Sequence, residues 1–259
     1  MAQDVTSSAT ASDGPQLSAT PDLFTQPAHN PPKTLAVDIG GSGTKTIVLD
    51  GAGQAVTERM RWATPRPATP NAVLAIVTQL AAKQGNFDRV SVGFPGVVSG
   101  GIIKTAVNLH PTWEGVDLAS DLGEQLGKPV RVANDADIQG LGAISGQGVE
   151  LVITLGTGLG SALFVGGRLV PNLELAHHLF QKGETYEAQL GRAALKVVGK
   201  KRWNSRLEKA IAILSHLFNY DHLYIGGGEA KRIKFELPGN VSVIANTMGL
   251  MGGIALWRD

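Results

Sequence analysis

The sequence predicts an α/β fold of two lobes flanking a cleft, and three observations carry that prediction. Strand-like and helix-like segments alternate from residue 33 onward. Two glycine-rich turns, at 38–45 and 155–161, each lie between two apolar runs, so the halves of the chain resemble related strand–turn–strand blocks. A chain of 259 residues with 43% apolar content can bury one large core or two modest ones.

Residues 1–32 differ in composition from the rest of the chain. They are rich in Ser, Thr, Ala and Pro and show neither helical nor strand periodicity. The segment lacks the basic start and apolar run of a secretion signal, and it lacks the apolar spacing of a helix-turn-helix. We therefore expect a disordered tail without a DNA-binding domain.

The first half of the folded region is expected to alternate strands with helices. β-branched and apolar runs predict strands at 34–37, 46–49, about 54–62, 89–94, 102–105 and 129–133. Pro70-Asn71 marks the start of a helix that ends near Gln84, and Gly93-Phe94-Pro95-Gly96 ends the fourth strand. Two further helices are predicted, at about 118–126 and from 135 to about 144.

The second half begins with a sheet and continues mainly as helix. Strands are predicted at 151–155, 161–165 and 168–170, the last two joined by a Gly166-Gly167 turn, and later at 222–225 and 241–245. Helices are predicted at about 184–198, 205–219 and 248–257. We expect a small α/β domain at 33–137, joined by the C-terminal helix at 247–259, and a large α/β domain at 138–246.

The two glycine turns do not match the common nucleotide-binding loops. In the first glycine turn (38–45), Lys45 follows Thr44 and leads into β-branched residues, whereas a Walker loop opens a helix. In the second glycine turn (155–161), the spacing is wrong for a dinucleotide fingerprint and the next segment is strand-like. Either turn alone is typical of a tight hairpin that needs positive φ. Together with Asp38 and Asn134-Asp135, they favour a pair of cradles for a phosphoryl donor.

Asp135 is the candidate general base. It follows a predicted strand at the carboxyl end, where open α/β sheets place ligand groups, and a carboxylate there can take a proton from a hydroxyl during phosphoryl transfer. Asp38 can orient Mg²⁺ through water or position the donor phosphate. The alternative is structural: Asp135 and Asp137 favour a helix N-terminus, and Asp38 caps a tight turn.

The chain resembles the ROK family of sugar kinases, and within that family the polyphosphate glucokinases. The resemblance rests on the second glycine turn and on the segments VDIGGSG (37–43), TPRPATP (64–70), GFPGVV (93–98), NDAD (134–137) and PNLELAH (171–177). It implies the two-lobed fold of the actin, Hsp70 and sugar kinase superfamily, which is ribonuclease H-like. It also implies phosphoryl transfer from polyphosphate, and from ATP, to the 6-hydroxyl of glucose, with Mg²⁺ as cofactor and mannose open as a second acceptor.

The resemblance also implies which residues form the site. Sugar contacts are expected from Asn108, Asn134, Asp135, Glu174, His177 and Glu187, with Glu184 as an alternative to Glu187. Donor contacts are expected from Asp38, Gly40, Gly41, Ser42, Gly43, Thr44, Lys45, Gly156, Thr157, Gly158, Gly160, Gly227 and Gly228. For His177 a purely structural role stays open. A homodimer is implied as well.

Composition restricts the partners. The net charge of +1 argues against a general nucleic-acid surface, and no apolar stretch approaches the ~18 residues of a membrane helix, so a cytoplasmic protein is expected. Many ROK proteins hold zinc with one His and several Cys. This chain has no cysteine, so the thiolate ligands are missing and we expect no structural zinc. Separately, Ala176 stands where the family usually has glycine, which leaves the local backbone angle open.

The donor preference stays open at this point. Seven basic residues fall between positions 192 and 209, against one acid, Glu208: they are Arg192, Lys196, Lys200, Lys201, Arg202, Arg206 and Lys209. Such a stripe either follows a linear polyanion or is a solvated helix face. Two alternatives to a polyphosphate enzyme are a strictly ATP-dependent ROK hexose kinase and a non-catalytic sugar-sensing protein.

Overall fold

A computed structural model describes residues 31–107, 109–245 and 248–258. Residues 1–30 of the expected tail and the candidate sugar ligand Asn108 lie outside the described residues. Within the part of the chain that is described, no helix is long and apolar enough to cross a membrane.

Fourteen strands occur in the described residues. In chain order they are β1 (Thr34–Gly40), β2 (Gly43–Leu49), β3 (Met60–Trp62), β4 (Arg89–Phe94), β5 (Val98–Ser99), β6 (Ile102–Ile103), β7 (Val130–Asn134), β8 (Val149–Leu155), β9 (Leu159–Val165), β10 (Arg168–Val170), β11 (Leu179–Gln181), β12 (Glu184–Thr185), β13 (His222–Gly226) and β14 (Val241–Val243). The prediction of a strand over 54–62 was too long, because only its last three residues form a strand with β2, and before them the pairing is limited to an isolated bridge between Ala55 and Leu49.

The described residues also contain six α-helices. They are α1 (Pro70–Gln84), α2 (Leu118–Leu126), α3 (Asp135–Leu141), α4 (Tyr186–Leu190), α5 (Arg192–Phe218) and α6 (Met248–Ala255). The predicted helix over 184–198 was wrong at its start, since Glu184–Thr185 pairs with β11, and it is interrupted at Gly191 between α4 and α5. Its predicted end at 198 agrees with a break at Gly199, where φ is +75°, but the helix resumes directly, so the predicted gap before residue 205 is helical.

The first sheet has the strand order β3-β2-β1-β4-β7. β1 pairs with β2 as an antiparallel hairpin, while β1, β4 and β7 run parallel, so their carboxyl ends share one edge. One face of the sheet packs on α1 and α2 through a core that includes Leu35, Val92 and the Phe94–Trp113 ring pair. The sheet thereby fixes the edge at which Asp38 and Asn134 lie.

The second sheet has the strand order β10-β9-β8-β13-β14. α4 and α5 cover one face through a core in which Leu151, Trp203 and Leu223 are fully buried. On the opposite face, Val152 and Phe164 pack against Leu141, the last residue of α3, and against Ile144. α3 also contacts β4 and β7 of the first sheet, so it touches strands of both sheets. The division into domains at 137/138 stays a prediction.

Ser91 links the C-terminal helix to the first sheet. This β4 side chain is buried, donates to the Gly253 carbonyl at 2.5 Å and accepts from the Trp257 indole at 2.8 Å. The guanidinium of Arg131 adds a bond to the Leu256 carbonyl at 2.8 Å. These bonds hold α6 and the residues after it against β4 and β7.

We predict that Ser91→Ala lowers the free energy of unfolding by about 1–3 kcal/mol, because it leaves the buried Gly253 carbonyl and the partly buried Trp257 indole N–H without this partner. Urea denaturation measures the change, and proteolysis after Ala255 should become faster. Ser99→Ala, at an exposed position of β5, is the matched control. Equal stability of the two variants would contradict the assigned role.

Candidate active site

The carboxyl ends of β1, β4 and β7 bring the first site residues together. Asp38 lies in register with Gly93 of β4, and Gly93 lies in register with Ala133 of β7. Asn134 ends β7 and Asp135 begins α3. The predicted placement of these polar groups at one edge of the sheet is therefore observed.

Asn134 fixes the start of α3. Its Oδ1 accepts from the Ala136 N–H at 2.7 Å, and its Nδ2 donates to the Gly96 carbonyl at 3.0 Å. The side chain thus serves as the N-cap of α3, which holds Asp135 in the first helical turn. A sugar contact by Asn134 stays a prediction, and it would use whatever hydrogen-bonding capacity these two bonds leave.

The first glycine turn joins β1 to β2 as predicted. The Lys45 ammonium lies 2.6 Å from Asp38 Oδ2, and both side chains are partly exposed. Gly41 and Ser42 are exposed at the tip, whereas the Thr44 side chain is fully buried and its hydroxyl has no partner among the described residues. The Thr44 hydroxyl is therefore enclosed in the protein in this conformation and is not exposed at the tip of the turn.

Arg61 is a cation at this turn that the sequence did not reveal. Its guanidinium donates to the Ser42 carbonyl at 3.0 Å and covers Gly43, where a side chain would clash with it. The signal was hidden because it depends on the register of β2 with β3, which places Arg61 opposite Lys45. Two cations consequently flank the first glycine turn.

The glycines of the two turns differ in their surroundings: at some a side chain would clash with a neighbouring residue, and at Gly156 it would extend into open space. None of Gly40, Gly43, Gly156, Gly158 and Gly160 has a left-handed φ, so the interpretation as hairpins that need positive φ is wrong at these positions. A side chain at Gly158 would meet the Glu187 carboxylate, and one at Gly160 would meet Ala136. A Cβ at Gly156 would meet nothing within 4 Å.

Other predicted donor residues lie beside the second glycine turn. The Gly156 carbonyl accepts from the Arg192 N–H at 3.0 Å, and Arg192 pairs through its guanidinium with Glu229 at 2.7 Å. Gly227 has φ +87° and lies directly against the Leu155 backbone, where a side chain has no room. Gly228 borders open space and Thr157 is exposed.

Three candidate sugar ligands lie on neighbouring elements. Glu174 and His177, at the two ends of a short 3₁₀ turn, are 3.6 Å apart through Oε2 and Nε2. Glu187 of α4 accepts from the Leu159 N–H at 3.1 Å, next to the second glycine turn. Glu184 lies exposed on β12. The structure thus places Glu187, and not Glu184, beside the glycine turn.

The carboxylates form one electrostatic cluster. Burial, followed by the charge of Asp38 and then that of Glu174, raises the pKa of Asp135 to about 6, although its side chain keeps accessible surface. Burial, and then the charges of Asp135 and Glu174, raises the pKa of the enclosed Asp137 to about 7. Burial also raises the pKa of Glu174, while His177 opposes the rise. A perturbed set of acids at a strand edge is typical of a catalytic site.

Comparison with known proteins identifies the family. Residues 34–173 match the model of the ROK family. The chain belongs to the ROK family. A polyphosphate glucokinase of Mycobacterium tuberculosis is 32% identical to it, covering 93% of this chain and 95% of the relative, and the one from Mycobacterium leprae is 29% identical over 96% and 81%.

Solved ROK structures share the fold of this chain, so the two-lobed sugar kinase fold is confirmed. The inorganic polyphosphate/ATP-glucomannokinase of Arthrobacter sp. strain KM has a TM-score of 0.77 and 32% identity, covering 87% of this chain and 97% of the other. A ROK glucokinase of Streptomyces griseus, solved with glucose and AMPPNP, has a TM-score of 0.70 at 21% identity, with 85% and 97% coverage. At that identity the second likeness concerns the fold alone.

We predict that Asp137→Asn raises the free energy of unfolding at pH 8 by about 2–4 kcal/mol and leaves it nearly unchanged at pH 4. The folded-state pKa near 7 exceeds the unfolded value, so the wild type loses stability as pH rises between the two values, and the amide removes that loss. Asp121→Asn, at an exposed position of α2, controls for the lost charge. Urea titrations at both pH values measure the effect; an equal gain at pH 4 would contradict it.

Proposed function

We propose that this protein transfers the terminal phosphoryl group of inorganic polyphosphate, and of ATP, to the 6-hydroxyl of glucose. The observation that carries the proposal is the position of Asp135, at the N-terminus of α3 and electrostatically coupled to groups of both expected subsites. The similarity to polyphosphate glucokinases over 93% of the chain supports the donor and the acceptor.

Asp135 acts as the general base in this proposal. Asp38 and Lys45 of the first glycine turn influence it from the donor side, and Glu174 from the sugar side. A carboxylate between the two subsites can accept the proton of the 6-hydroxyl as that oxygen attacks the phosphorus and the bond to the donor breaks. Glu174, His177, Glu187, Asn134 and Asn108 are proposed to hold the sugar hydroxyls.

The donor phosphates are proposed to lie between the two glycine turns. Lys45 and Arg61 supply positive charge at the first turn, and the backbone at Gly156, without a side chain, leaves space at the second. Residues 226–228, of which Gly227 lies against Leu155, are proposed to border the nucleotide when ATP is the donor. Closure of the lobes would exclude water and limit hydrolysis of the donor.

A magnesium ion fits the chemistry of this edge. Among the described residues no group of three or more His, Cys, Asp or Glu side chains could hold a metal by itself. Asp38 nevertheless raises the pKa of Asp135, and a cation would relieve that carboxylate repulsion. Mg²⁺ typically uses one or two carboxylates plus substrate phosphates, so Asp38 would hold it, and the bound ion would neutralise charge on the donor.

Acceptor range and assembly complete the proposal. We include mannose as a second acceptor, which is supported by the name of the Arthrobacter glucomannokinase. A homodimer is proposed on the family resemblance. Neither feature is needed for the role of Asp135.

We predict that Asp135→Asn lowers kcat by about 10²–10⁴-fold with either donor and leaves glucose affinity within a few-fold, because the amide cannot take the proton. In the wild type, kcat/KM should rise with pH through about 6 as Asp135 loses its proton. Coupled assays of glucose 6-phosphate and calorimetric glucose binding measure both quantities, with Asp121→Asn as control. Turnover retained in Asp135→Asn would refute the assignment.

We predict that Gly156→Ala raises KM for polyphosphate and for ATP about tenfold or more while the protein stays as stable as the wild type. The new methyl group meets no protein atom within 4 Å and φ is not left-handed, so only a ligand is crowded. Gly239→Ala, where a Cβ also meets nothing, is the matched control. Donor KM values unchanged in Gly156→Ala would place the donor elsewhere.

A further inference from the structure

Three of the seven basic residues between 192 and 209 leave the predicted stripe and gather around a separate cavity. This basic pocket has a volume of about 180 Å³ and is lined by Gln181, Lys182, Arg202, Ser205, Arg206 and Lys209. The fourth cation, Lys182, comes from the turn between β11 and β12. Arg192 is neutralised by Glu229, so the basic residues are not one continuous row of equivalent charges.

The charges of the basic pocket are not compensated by acids. Among the described residues, the ion pairs involve none of its four cations, although Glu184 and Glu208 lie on the same elements. Two of the cations are held by neutral oxygens: Lys209 donates to Gln181 Oε1 at 3.2 Å and Arg206 donates to the Gln189 carbonyl at 3.2 Å. The pocket therefore concentrates positive charge without an acidic partner among the described residues.

The backbone brings these like charges together at a cost. Arg202 and Arg206 are four residues apart on α5, and Lys209 follows after three more, so the three share one helical face and repel one another. Lys182 has φ +56° and is followed by Gly183 with φ +72°, which makes a tight hairpin turn with a lysine in a left-handed conformation. An anion in the pocket would offset this repulsion.

The size of the pocket narrows the ligand. A volume of about 180 Å³ is smaller than the range of about 300–1,000 Å³ typical of drug-sized ligands, so it suits phosphate groups and not a whole nucleotide. Arg202 and Arg206 provide planar donors for phosphate oxygens, and Lys182 and Lys209 provide point charges. The chemistry is that of a chain of phosphates.

Helix α4 separates the basic pocket from the second glycine turn. The Glu187 side chain of this helix accepts from the Leu159 N–H at the glycine turn, while the Gln189 side chain, two residues later, accepts from Gln181 Nε2 at the pocket. Residues two apart point away from each other on a helix, and a helix is about 10 Å across. A donor must therefore be long enough to pass around α4 in order to occupy both places.

We propose that the basic pocket binds the distal part of a long polyphosphate chain while its terminal phosphate lies at the glycine turns. This inference rests on the proposed function. It separates donors by the length of their phosphate chain, because a long polyphosphate reaches the pocket, whereas the three phosphates of ATP or tripolyphosphate are too short to span α4.

The test compares wild type with the triple variant Lys182→Gln/Arg202→Gln/Lys209→Gln. KM for long-chain polyphosphate should rise about tenfold, with a shallower salt dependence, because three phosphate contacts are lost. kcat, and the KM values for tripolyphosphate and ATP, should stay within about twofold of the wild type. The control variant Lys83→Gln/Lys128→Gln/Arg168→Gln removes the same charge from exposed positions elsewhere and should match the wild type.

Several results would overturn the inference. They are an unchanged KM for the long chain, an equal rise for tripolyphosphate, an equal rise in the control variant, or competition by a single-stranded RNA homopolymer as strong as that by polyphosphate.

Thermal unfolding checks that the triple variant folds. If it does not, Arg202→Gln alone replaces it and should show a smaller rise in KM. If wild type forms no glucose 6-phosphate from any polyphosphate, the proposed function fails. Calorimetric binding of long-chain polyphosphate to wild type and variant then decides the pocket by itself.

Discussion

The site depends on the packing of α3 between the two sheets. Gly160 of β9 approaches Ala136 so closely that a side chain would clash, and Gly252 of α6 approaches the Ile138 carbonyl in the same way. The Asn134 side chain caps the N-terminus of α3 and fixes its first turn. Because the helix is held on several sides, Asp135 occupies one position relative to both glycine turns, which is what a general base requires.

The clustered carboxylates lower the stability of the free protein and provide the charged groups of the proposed reaction. Burial raises the pKa of Asp135, Asp137 and Glu174. The charge of Glu174 raises the pKa of both aspartates further. Lys45 pairs with Asp38 at the first glycine turn, where Arg61 also lies, and a larger group of cations lines the basic pocket. Groups of like charge of this kind are unfavourable in the free protein and favourable when a polyanionic donor and a neutral sugar are bound.

Local sequence signals predicted those elements whose ends they mark. The helices at 70–84 and 118–126 and the strand at 89–94 have the expected bounds, because proline, glycine and capping residues delimit them. The hairpin at 179–185 was missed, because its strands are two or three residues long and take their register from α4 and α5. The helix end predicted near 198 agrees with the break at Gly199, but the immediate continuation of the helix after this glycine was not predicted.

The candidate site shows the same limit. The motifs predicted that Asp38, Asn134 and Asp135 lie at strand ends, as they do. The sequence left Glu184 and Glu187 as alternatives, and only the structure shows that Glu187 on α4 lies beside the second glycine turn. The part of Arg61, the burial of Thr44 and the grouping of Lys182 with Arg202 depend on pairing between distant segments, which a single sequence does not reveal. The sequence also could not predict the backbone conformation of the glycines, because both a close approach of neighbouring atoms and a positive φ favour glycine.

The most direct measurement of the central claim is ³¹P NMR of the purified protein with glucose, Mg²⁺ and nucleotide-free long-chain polyphosphate. The account predicts a growing glucose 6-phosphate resonance at the expense of the terminal phosphates of the chain. Product with ATP and none with polyphosphate would contradict the assignment of the donor, and product with neither would contradict the assignment of a glucose kinase.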